Sequence, residues 1–393
     1  MGTNSDRNKR GNSLKRVVEY LLQLCKELDY IKTYKKNYSL GKAGYSDKHQ
    51  FKAPYRIEFS DGSEWIIFTT TSQRDRIKEQ YWDAFNLKSL NNHITNAYLV
   101  YPDGLETKKK EEFIRKNEKI QNTGEYSTLD ELVSQDSFFN RIETYALKLK
   151  TTSTAQQTDI KGKNFETRVA FVLSNPANLE KWLKNDALLE GLHYELFKSI
   201  LDKFNLDKSK IKYITSTADK SIIGHLPSGA DVKTDVLTTI HYIDGTSEDY
   251  TISCKRSSRD VVSVHQYSAD TFADVLDKNN SELRRVLNEF QKKGNRRDMT
   301  DADAAILEKE LHPHLEKLCE WALGGIGGEG DPKTQWAYFL LFYDNNTETF
   351  KVHTTKEYCD IILNSSPKAF NTPFNWTYQG SRGTNIQLKC SLE

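Results

Sequence analysis

A candidate reactive pair stands at the two ends of one predicted β-hairpin. The segments 235–242 and 250–254 are rich in β-branched residues, and the turn signal Asp244-Gly245 lies between them. This pattern is typical of two antiparallel strands joined by a tight turn. Asp235 opens the first strand and Lys255 ends the second, so we expect the carboxylate and the ammonium to meet at one edge of the hairpin. The simplest alternative is a solvated ion pair, which is common on protein surfaces.

The spacing of these residues resembles the layout of the PD-(D/E)xK nucleases. By that resemblance, Asp235 would hold Mg²⁺ through oxygen, and Lys255 would orient the attacking water or help to deprotonate it. Ser253 occupies the position that normally carries a carboxylate or an amide. The third residue of the nuclease pattern therefore differs from the residue types that are usual at this position.

The composition sets the size and the class of the protein. The chain has 393 residues, of which 37% are hydrophobic and 28% are charged, and this is enough for two domains with a core each. No run approaches the roughly 18 apolar residues of a membrane span, and residues 1–16 lack the apolar stretch of a secretory signal. The five cysteines are scattered and odd in number. They favour a reducing cytosol and argue against a disulfide framework or a zinc site.

The formal net charge of +1 lacks the basic excess that is typical of nucleic-acid-binding proteins. A DNA ligand would therefore require a local basic surface, with acidic residues elsewhere. Residues 255–267 follow the second strand of the hairpin and offer cations and hydroxyls that can hold phosphates. Residues 375–389 offer amides, hydroxyls and cations that suit base edges. An ordinary polar surface is the alternative for both segments.

The N-terminal part of the chain predicts a separate α/β domain. Residues 1–13 are polar and favour a disordered tail, and an amphipathic helix begins at Leu14. Strands at 55–59 and 65–70, a helix at 74–85 and a strand at 97–101 follow. This order has the outline of a second nuclease core, but no lysine lies on its catalytic strand. Residues 14–148 are thus either a degenerate nuclease-like domain without activity or an unrelated accessory domain.

The polar residues 149–160 favour a linker, and residues 161–393 form the second predicted domain. In that domain, helical patterns cover 165–173, 189–204, 281–292 and 302–323. A short strand at 212–216 precedes the first hairpin, and a second hairpin is predicted at 336–343 and 349–353. The hairpin that ends at Lys255 lies near the middle of this domain.

Over about residues 161–389 the chain resembles the MspI-like family of type II restriction endonucleases. The matching residues keep the order and nearly the spacing of the family, and they are Gly162-Lys163, Glu166, Thr217, Asp219, Lys233-Thr234-Asp235, Lys255, Ser257-Ser258, Val262-Ser263, Tyr267, Asn375-Trp376-Thr377-Tyr378, Gln387 and Lys389. Residues 1–150 lie outside this resemblance. The interval between Thr377 and Gln387 is one residue shorter than in the family.

The resemblance implies an α/β protein whose C-terminal part is a PD-(D/E)xK restriction-endonuclease-like core, with a mixed central sheet flanked by helices and an additional N-terminal α/β domain. It also implies Mg²⁺-dependent hydrolysis of a phosphodiester in each strand of double-stranded DNA at a short palindrome, CCGG or a close relative. Such an enzyme belongs to a restriction system of the prokaryotic cytosol, together with a cognate DNA methyltransferase.

Individual roles follow from the same resemblance. Asp235 and the main-chain carbonyl of Cys254 would bind the metal, and Glu166 could reach it through water. Lys255 would lie at the attacking water, and Ser253 stands where related enzymes have Asn. Contacts to DNA are expected from Lys233, Thr234, Arg256, Ser257, Ser263, Gln266, Thr377, Tyr378, Gln387 and Lys389. The alternative function is a sequence-specific DNA-binding module whose nuclease site has lapsed, with Ser253 as the trace of that loss.

Overall fold

The computed structural model describes residues 4–41, 50–71, 77–104, 107–124, 128–257, 259–347, 349–378 and 380–391, with only the backbone at 77, 78 and 120. The chain divides into two compact units. The first unit contains Met1–Asn164 and Phe171–Lys198, and the second contains Phe165–Ala170 and Ser199–Glu393. Within the described residues, no helix is both long and apolar enough to cross a membrane.

The first unit is built on a five-stranded mixed sheet. Its elements are α1 (Asn4–Glu27), β1 (Thr33–Leu40), β2 (Phe51–Glu58), β3 (Glu64–Thr69), α2 (Ile77–Leu90), β4 (Ile94–Tyr101), α3 (Thr107–Thr123), β5 (Glu131–Ser134), α4 (Gln135–Lys150), the two ends of α5 (Thr154–Leu173), α6 (Pro176–Lys184) and the start of α7 (Tyr194–Phe204). The strand order is β1-β2-β3-β4-β5. The pairs β1–β2 and β2–β3 are antiparallel, and the pairs β3–β4 and β4–β5 are parallel. Residues 65–68 of β3 are all buried, as expected of a strand that is covered on both faces.

The predicted disordered tail over residues 1–13 is wrong for the ten residues from Asn4, which form the start of α1. Arg10 donates to the Glu190 carboxylate at 2.7 Å, and the Ser13 hydroxyl accepts the Glu190 main-chain N–H at 2.8 Å. The start of this helix is held by polar contacts with a residue far along the chain. Such contacts leave no apolar periodicity in the sequence, so the helix start was not predicted. Residues 1–3, the rest of the predicted tail, lie outside the described part of the chain, as do residues 74–76 of the predicted helix at 74–85.

Arg10→Ala should lower the free energy of unfolding by about 1–3 kcal/mol, because it leaves a buried carboxylate without its nearest cation. Glu190 has only 2% of its side chain exposed, and its other cationic neighbour, Lys181, is 3.8 Å away. Urea unfolding of the intact protein measures the change. Arg7→Ala, at an exposed position of the same helix, is the control. Equal stabilities of the two variants would contradict an ordered helix start.

The predicted linker at 149–160 is also replaced by helices, because α4 ends at Lys150 and α5 begins at Thr154. The first turns of α5 are largely exposed, so they show no apolar pattern that would reveal a helix in the sequence. The chain passes between the units inside helices instead, after Asn164 and Ala170 in α5 and after Lys198 in α7. Residues 171–198, which were predicted to lie in the second domain, belong to the first unit.

The second unit contains two sheets and a group of helices. Its elements are the last part of α7 (Tyr194–Phe204), β6 (Ile211–Thr217), α8 (Lys220–Ile223), β7 (Val236–Tyr242), β8 (Ser247–Ser257), β9 (Val261–Tyr267), α9 (Ala269–Asp277), α10 (Ser281–Lys293), α11 (Asp301–Leu311), α12 (Leu315–Gly324), β10 (Phe339–Asp344), β11 (Thr349–Thr354), α13 (Thr355–Leu363), β12 (Asn375–Thr377) and β13 (Ile386–Ser391). Residues 165–170 of α5 belong to this unit as well.

Both predicted hairpins of this unit are confirmed, since β7 pairs antiparallel with β8 and β10 with β11. The turn of the first hairpin has Gly245 at φ +89°, and the Asp244 side chain accepts the Thr246 main-chain N–H at 2.9 Å. The five-stranded sheet has the order β11-β10-β8-β7-β6, and β8 and β10 are parallel. It is therefore the mixed central sheet that the sequence analysis expected.

A smaller antiparallel sheet has the order β12-β13-β9. Its buried face belongs to a large apolar core that α9 to α13 also line, with aromatic members Phe272, Phe290, Trp321, Phe374 and Trp376. The opposite face carries polar residues, of which Ser263, Gln266 and Asn375 are exposed, whereas Gln387 is buried. The sheet thus has one apolar and one polar side, as antiparallel sheets commonly do.

The two larger sheets share a strand pattern. In the first unit β1, β2, β3 and β4 are neighbours with antiparallel, antiparallel and parallel pairings. In the second unit β6, β7, β8 and β10 are neighbours with the same three pairings in the same order. The fifth strands differ, because β5 is parallel to β4 whereas β11 is antiparallel to β10.

Candidate active site

Asp235 lies directly before β7 and aims its side chain at β8. Its main-chain N–H donates to the Ile252 carbonyl at 2.9 Å, which extends the pairing of the two strands by one residue. Its Oδ2 atom accepts three hydrogen bonds, from the Cys254 main-chain N–H at 2.7 Å, the Ser253 hydroxyl at 3.1 Å and the Lys255 ammonium at 3.1 Å. The predicted meeting of the carboxylate and the ammonium is thus confirmed.

The charges around Asp235 decide its protonation. Burial of the carboxyl would raise its pKa, but the positive charges of Lys255 and Lys220 and the N–H of Cys254 outweigh burial and lower the pKa. The carboxylate is therefore ionised at neutral pH. An ionised, partly buried carboxylate is the oxygen ligand that Mg²⁺ prefers.

Lys255 is held in one place by three acceptors. Besides Asp235 Oδ2, its ammonium donates to the Ser253 hydroxyl oxygen at 2.7 Å and to the Cys254 carbonyl at 3.2 Å. Burial would lower the pKa of Lys255, but the neighbouring Asp235 carboxylate raises it, and the net effect is a raised pKa. Lys255 is therefore a fixed cation. Ser253, which is fully buried, connects it to the carboxylate through one hydroxyl.

Glu166 is the second carboxyl group of the site. It lies on the part of α5 that belongs to the second unit. Burial, and then the negative charge of Asp235, raise its pKa to about 7. A carboxyl group that shares a site with another carboxylate resists ionisation in this way. A cation between the two groups would relieve the repulsion.

Lys220 is a site residue that the sequence analysis missed. Its ammonium is 3.5 Å from Asp235 Oδ1 and 4.0 Å from Glu166 Oε2, and it donates to the Thr234 carbonyl at 3.2 Å. It is the first residue of the short helix α8, which Asp219 caps by accepting the Ser221 N–H. The Asp-x-Ser cap signals a helix start, but nothing local in the sequence directs Lys220 toward Asp235.

The donor set fits a hard divalent cation. Asp235 and Glu166 both approach the Lys220 ammonium, so their oxygens face a shared position where a cation is favoured. The Cys254 carbonyl adds a third oxygen near Asp235, within reach of the Lys255 ammonium. Oxygen ligands of this kind suit Mg²⁺, which usually keeps several waters as well. Among the described residues there is no group of three or more His, Cys, Asp or Glu side chains that could hold a metal, so the oxygens of water and of a substrate would have to complete the coordination.

Most of the residues expected to contact bases lie on one face of the sheet β12-β13-β9. Thr377, Gln387 and Gln266 form one row of cross-strand partners. Lys389 and Ser263 are partners in the next row, and Asn375 completes that row. Cross-strand partners point to the same side of a sheet.

An irregularity in the pairing makes this shared face possible. The register between β13 and β9 shifts between Leu388 and Lys389, so one extra residue of β9 lies between the two rows. Ser263 and Gln266, which are three positions apart, can therefore point to the same side. The intervening Leu388, His265 and Trp376 are buried on the other side. We call the polar side, formed by Ser263, Gln266, Asn375, Thr377, Gln387 and Lys389, the reading face; Gln387 is the member of this set that is buried in the free protein.

Comparison with known proteins decides the family. A family model described as "Restriction endonuclease MspI" matches residues 141–390, which is more than half of the chain. The chain belongs to the MspI restriction endonuclease family. The resemblance inferred from the sequence is confirmed, and so is the enzyme class, since this is a family of type II restriction enzymes.

Individual relatives of this family are similar over different lengths. The type II restriction enzyme BsuFI of Bacillus subtilis is 27% identical over 98% of both chains. The type II restriction enzyme MspI of Moraxella sp is 21% identical over 58% of this chain and 88% of its own. A crystal structure of MspI in complex with its cognate DNA has a TM-score of 0.53 at 18% identity, covering 63% of this chain and 97% of that chain. The likeness to BsuFI therefore extends over the first unit, which the sequence analysis left outside the resemblance.

Two residues of this MspI-family chain that were expected to contact DNA have their partners or surroundings within the protein. The Thr234 side chain is completely buried, so it offers no surface to DNA in this conformation. The Lys233 ammonium donates to the main-chain carbonyls of Val264 and Ala322, and burial lowers its pKa to about 7. Both residues position the segment before Asp235. Their direct contacts with DNA stay predictions, and the sequence alone did not show that these side chains are packed inside the protein.

Three other predicted DNA contacts have partners within the protein. Arg256 donates through Nε to Asn345, and its guanidinium lies 5.2 Å from the Tyr343 ring centroid. The Ser257 hydroxyl donates to the Val261 carbonyl at 3.3 Å. The Tyr378 ring lies under the Arg382 guanidinium at 5.8 Å. Contacts of these residues with DNA stay predictions, and Ser258 lies outside the described residues.

Proposed function

We propose that this chain is a Mg²⁺-dependent restriction endonuclease that cuts both strands of DNA at a short palindrome, CCGG or a close relative. The observation that carries this proposal is the cluster of Asp235, Ser253 and Lys255 at the end of β8, with the reading face beginning on β9, the next strand of the chain. The candidate hydrolytic site and a surface rich in hydrogen-bonding groups are thus carried by consecutive strands of the chain.

Each residue of the cluster has a physical task. The Asp235 carboxylate and the Cys254 carbonyl would hold Mg²⁺, with Glu166 reaching it through water, and the bound ion would neutralise the scissile phosphate and lower the pKa of a bound water. Lys255 would lie at the attacking water and stabilise the negative charge that develops. Since three acceptors already fix its ammonium, little reorganisation is needed during the reaction. Ser253 keeps the hydroxyl bridge between the two charged groups, which supports an intact site over a lapsed one.

Recognition of the bases is assigned to the reading face. Gln387 and Gln266 carry amides that can pair with adenine or reach guanine, and Lys389 suits the guanine O6 and N7 atoms. The remaining affinity would come from phosphate contacts, which makes binding sensitive to salt. The target CCGG itself rests on the family resemblance.

Lys389→Ala should weaken binding to the target by about 1–3 kcal/mol and relax the preference at one base pair. The measurement is the affinity for a CCGG duplex and for duplexes with each single-base change, in Ca²⁺ at fixed salt. Lys351→Ala, which removes an exposed lysine from β11 in the other sheet, corrects for the loss of one charge. An equal loss of affinity on all sequences would remove Lys389 from the base-reading set.

The first unit is proposed to be a degenerate nuclease core without activity. The support is the shared order and direction of β1 to β4 and of β6, β7, β8 and β10. Strand β3, which takes the place of β8, is Glu-Trp-Ile-Ile-Phe-Thr and has no lysine. A protein whose second-unit site has been disabled and which still cuts DNA would contradict this proposal.

The test of the function is cleavage of unmethylated plasmid by the purified protein in Mg²⁺ or in EDTA. Discrete fragments that require Mg²⁺ and end at one sequence would establish the activity, and sequencing of the ends would give the site and the cut position. Intact plasmid that is retarded on a gel would favour the DNA-binding module. We also expect a cognate methyltransferase in the same bacterial cytoplasm, since an endonuclease of this kind would otherwise cut the host's own DNA.

A further inference from the structure

The two oxygens of Asp235 have different surroundings. Oδ2 already accepts three hydrogen bonds, from the Cys254 N–H, the Ser253 hydroxyl and the Lys255 ammonium. Oδ1 has the Lys220 ammonium at 3.5 Å. A divalent cation that binds the Asp235 carboxylate must therefore approach mainly through Oδ1, on the side where Lys220 lies.

Lys220 also faces the other carboxyl group, because its ammonium is 4.0 Å from Glu166 Oε2. Two carboxyl groups and two lysines, Lys220 and Lys255, thus form one cluster. When all four groups are charged, the cluster has no net charge. A divalent cation binds such a cluster more weakly than it binds two carboxylates that have no lysine beside them. The reason is that like charges about 4 Å apart repel strongly outside bulk water.

The two lysines differ in how firmly they are held. Lys255 has three acceptors between 2.7 and 3.2 Å and only 19% of its side chain exposed. Lys220 has one carbonyl at 3.2 Å and one long contact with Asp235, and 32% of its side chain is exposed. A lysine has a flexible four-carbon stem and binds phosphate as a point charge. Lys220 can therefore move to a nearby phosphate at lower cost than Lys255.

We propose that Lys220 is a positioning residue that occupies the Asp235–Glu166 carboxyl pair in the free protein and is drawn away by a phosphate of bound DNA. Its departure opens Asp235 Oδ1 to the divalent cation. Metal binding is thereby coupled to DNA binding, so that the free enzyme holds the metal weakly and the DNA complex holds it tightly. This inference rests on the proposed Mg²⁺ site and adds an order of binding to it.

The test measures metal binding without catalysis. Calorimetric titration with Ca²⁺, in the absence of DNA, should show affinity at least about tenfold higher for Lys220→Met than for the unchanged protein, because one opposing charge is gone. Lys220→Arg keeps the charge and should behave like the unchanged protein. Lys212→Met, at an exposed position of β6, is the matched control. Lys220→Gln serves as a second neutral variant if thermal melting shows that Lys220→Met is not folded.

A second titration with a specific DNA duplex present tests the coupling. DNA should raise the Ca²⁺ affinity of the unchanged protein about tenfold or more, and it should raise that of Lys220→Met much less. Equal Ca²⁺ affinities of the unchanged protein and both neutral variants, with and without DNA, would overturn the inference. So would an Arg variant that binds like the Met variant. Failure of the proposed function would be different: Ca²⁺ would bind no protein even with DNA, and Mg²⁺ would support no cleavage.

Discussion

Replacement of Lys255 by methionine should lower the rate of DNA cleavage by about 10³-fold or more while DNA still binds. Lys255 is the cation that three acceptors hold at the end of β8, and a preorganised charge at the reacting atoms contributes an effect of this size. Methionine has a similar length and no charge. Single-turnover cleavage of a CCGG duplex in Mg²⁺ gives the rate, and a gel shift in Ca²⁺ gives the affinity.

Two comparisons make the Lys255 result specific. Lys351→Met removes a charge from β11 and should leave the cleavage rate within a few-fold of the unchanged protein. Thermal melting of Lys255→Met shows whether the loss of the contact with Asp235 has unfolded the protein. A folded Lys255→Met protein that cuts at an unchanged rate would remove Lys255 from the reaction and would favour a different site.

The hairpin that carries Asp235 and Lys255 could be predicted from the sequence because its turn and strand patterns are local. The Asp244-Gly245 turn fixes which residues of the two strands face each other, and Gly245 adopts the positive φ that such a turn requires. Asp235 and Lys255 then meet without any knowledge of the remaining fold. The same holds for the second hairpin, at β10 and β11. The local signal for the second hairpin was the pair of strand patterns at 336–343 and 349–353.

The features that sequence reasoning missed depend on contacts between distant segments. Lys220 reaches Asp235 only because the segment between β6 and β7 brings it next to the residues that precede β7. The burial of Thr234 depends on packing around it, and the start of α1 depends on Glu190, far along the chain. Ser263 and Gln266 share one face of the sheet only because the pairing of β13 with β9 shifts register between them. The regular alternation of side chains along a strand does not predict such a shift.

Asp235→Asn should abolish cleavage, by about 10³-fold or more, through loss of the metal. The amide has the same shape and can still accept the Cys254 N–H, but it has no charge to hold a dication. It also leaves two lysines, Lys220 and Lys255, without their shared anion. Because the pKa of Asp235 is lowered in the folded protein, ionisation of this group stabilises the fold above the ordinary pKa of Asp and ceases to do so as the pH falls through the lowered value. We therefore expect a loss of stability at neutral pH, of about 1–3 kcal/mol.

Three measurements separate these effects of Asp235→Asn. Calorimetric titration with Ca²⁺ in the presence of a DNA duplex should show no metal binding, urea unfolding should show the loss of stability at pH 7 and a smaller loss in acid, and the cleavage assay should show no product. Asp301→Asn, at an exposed position at the start of α11, removes one negative charge and should change none of the three. Metal binding that persists in Asp235→Asn would mean that Glu166 and main-chain oxygens hold the ion without Asp235. Cleavage that persists would instead point to a second site, and the first unit, in which β1 to β4 pair as β6, β7, β8 and β10 do, would be the place to look for it.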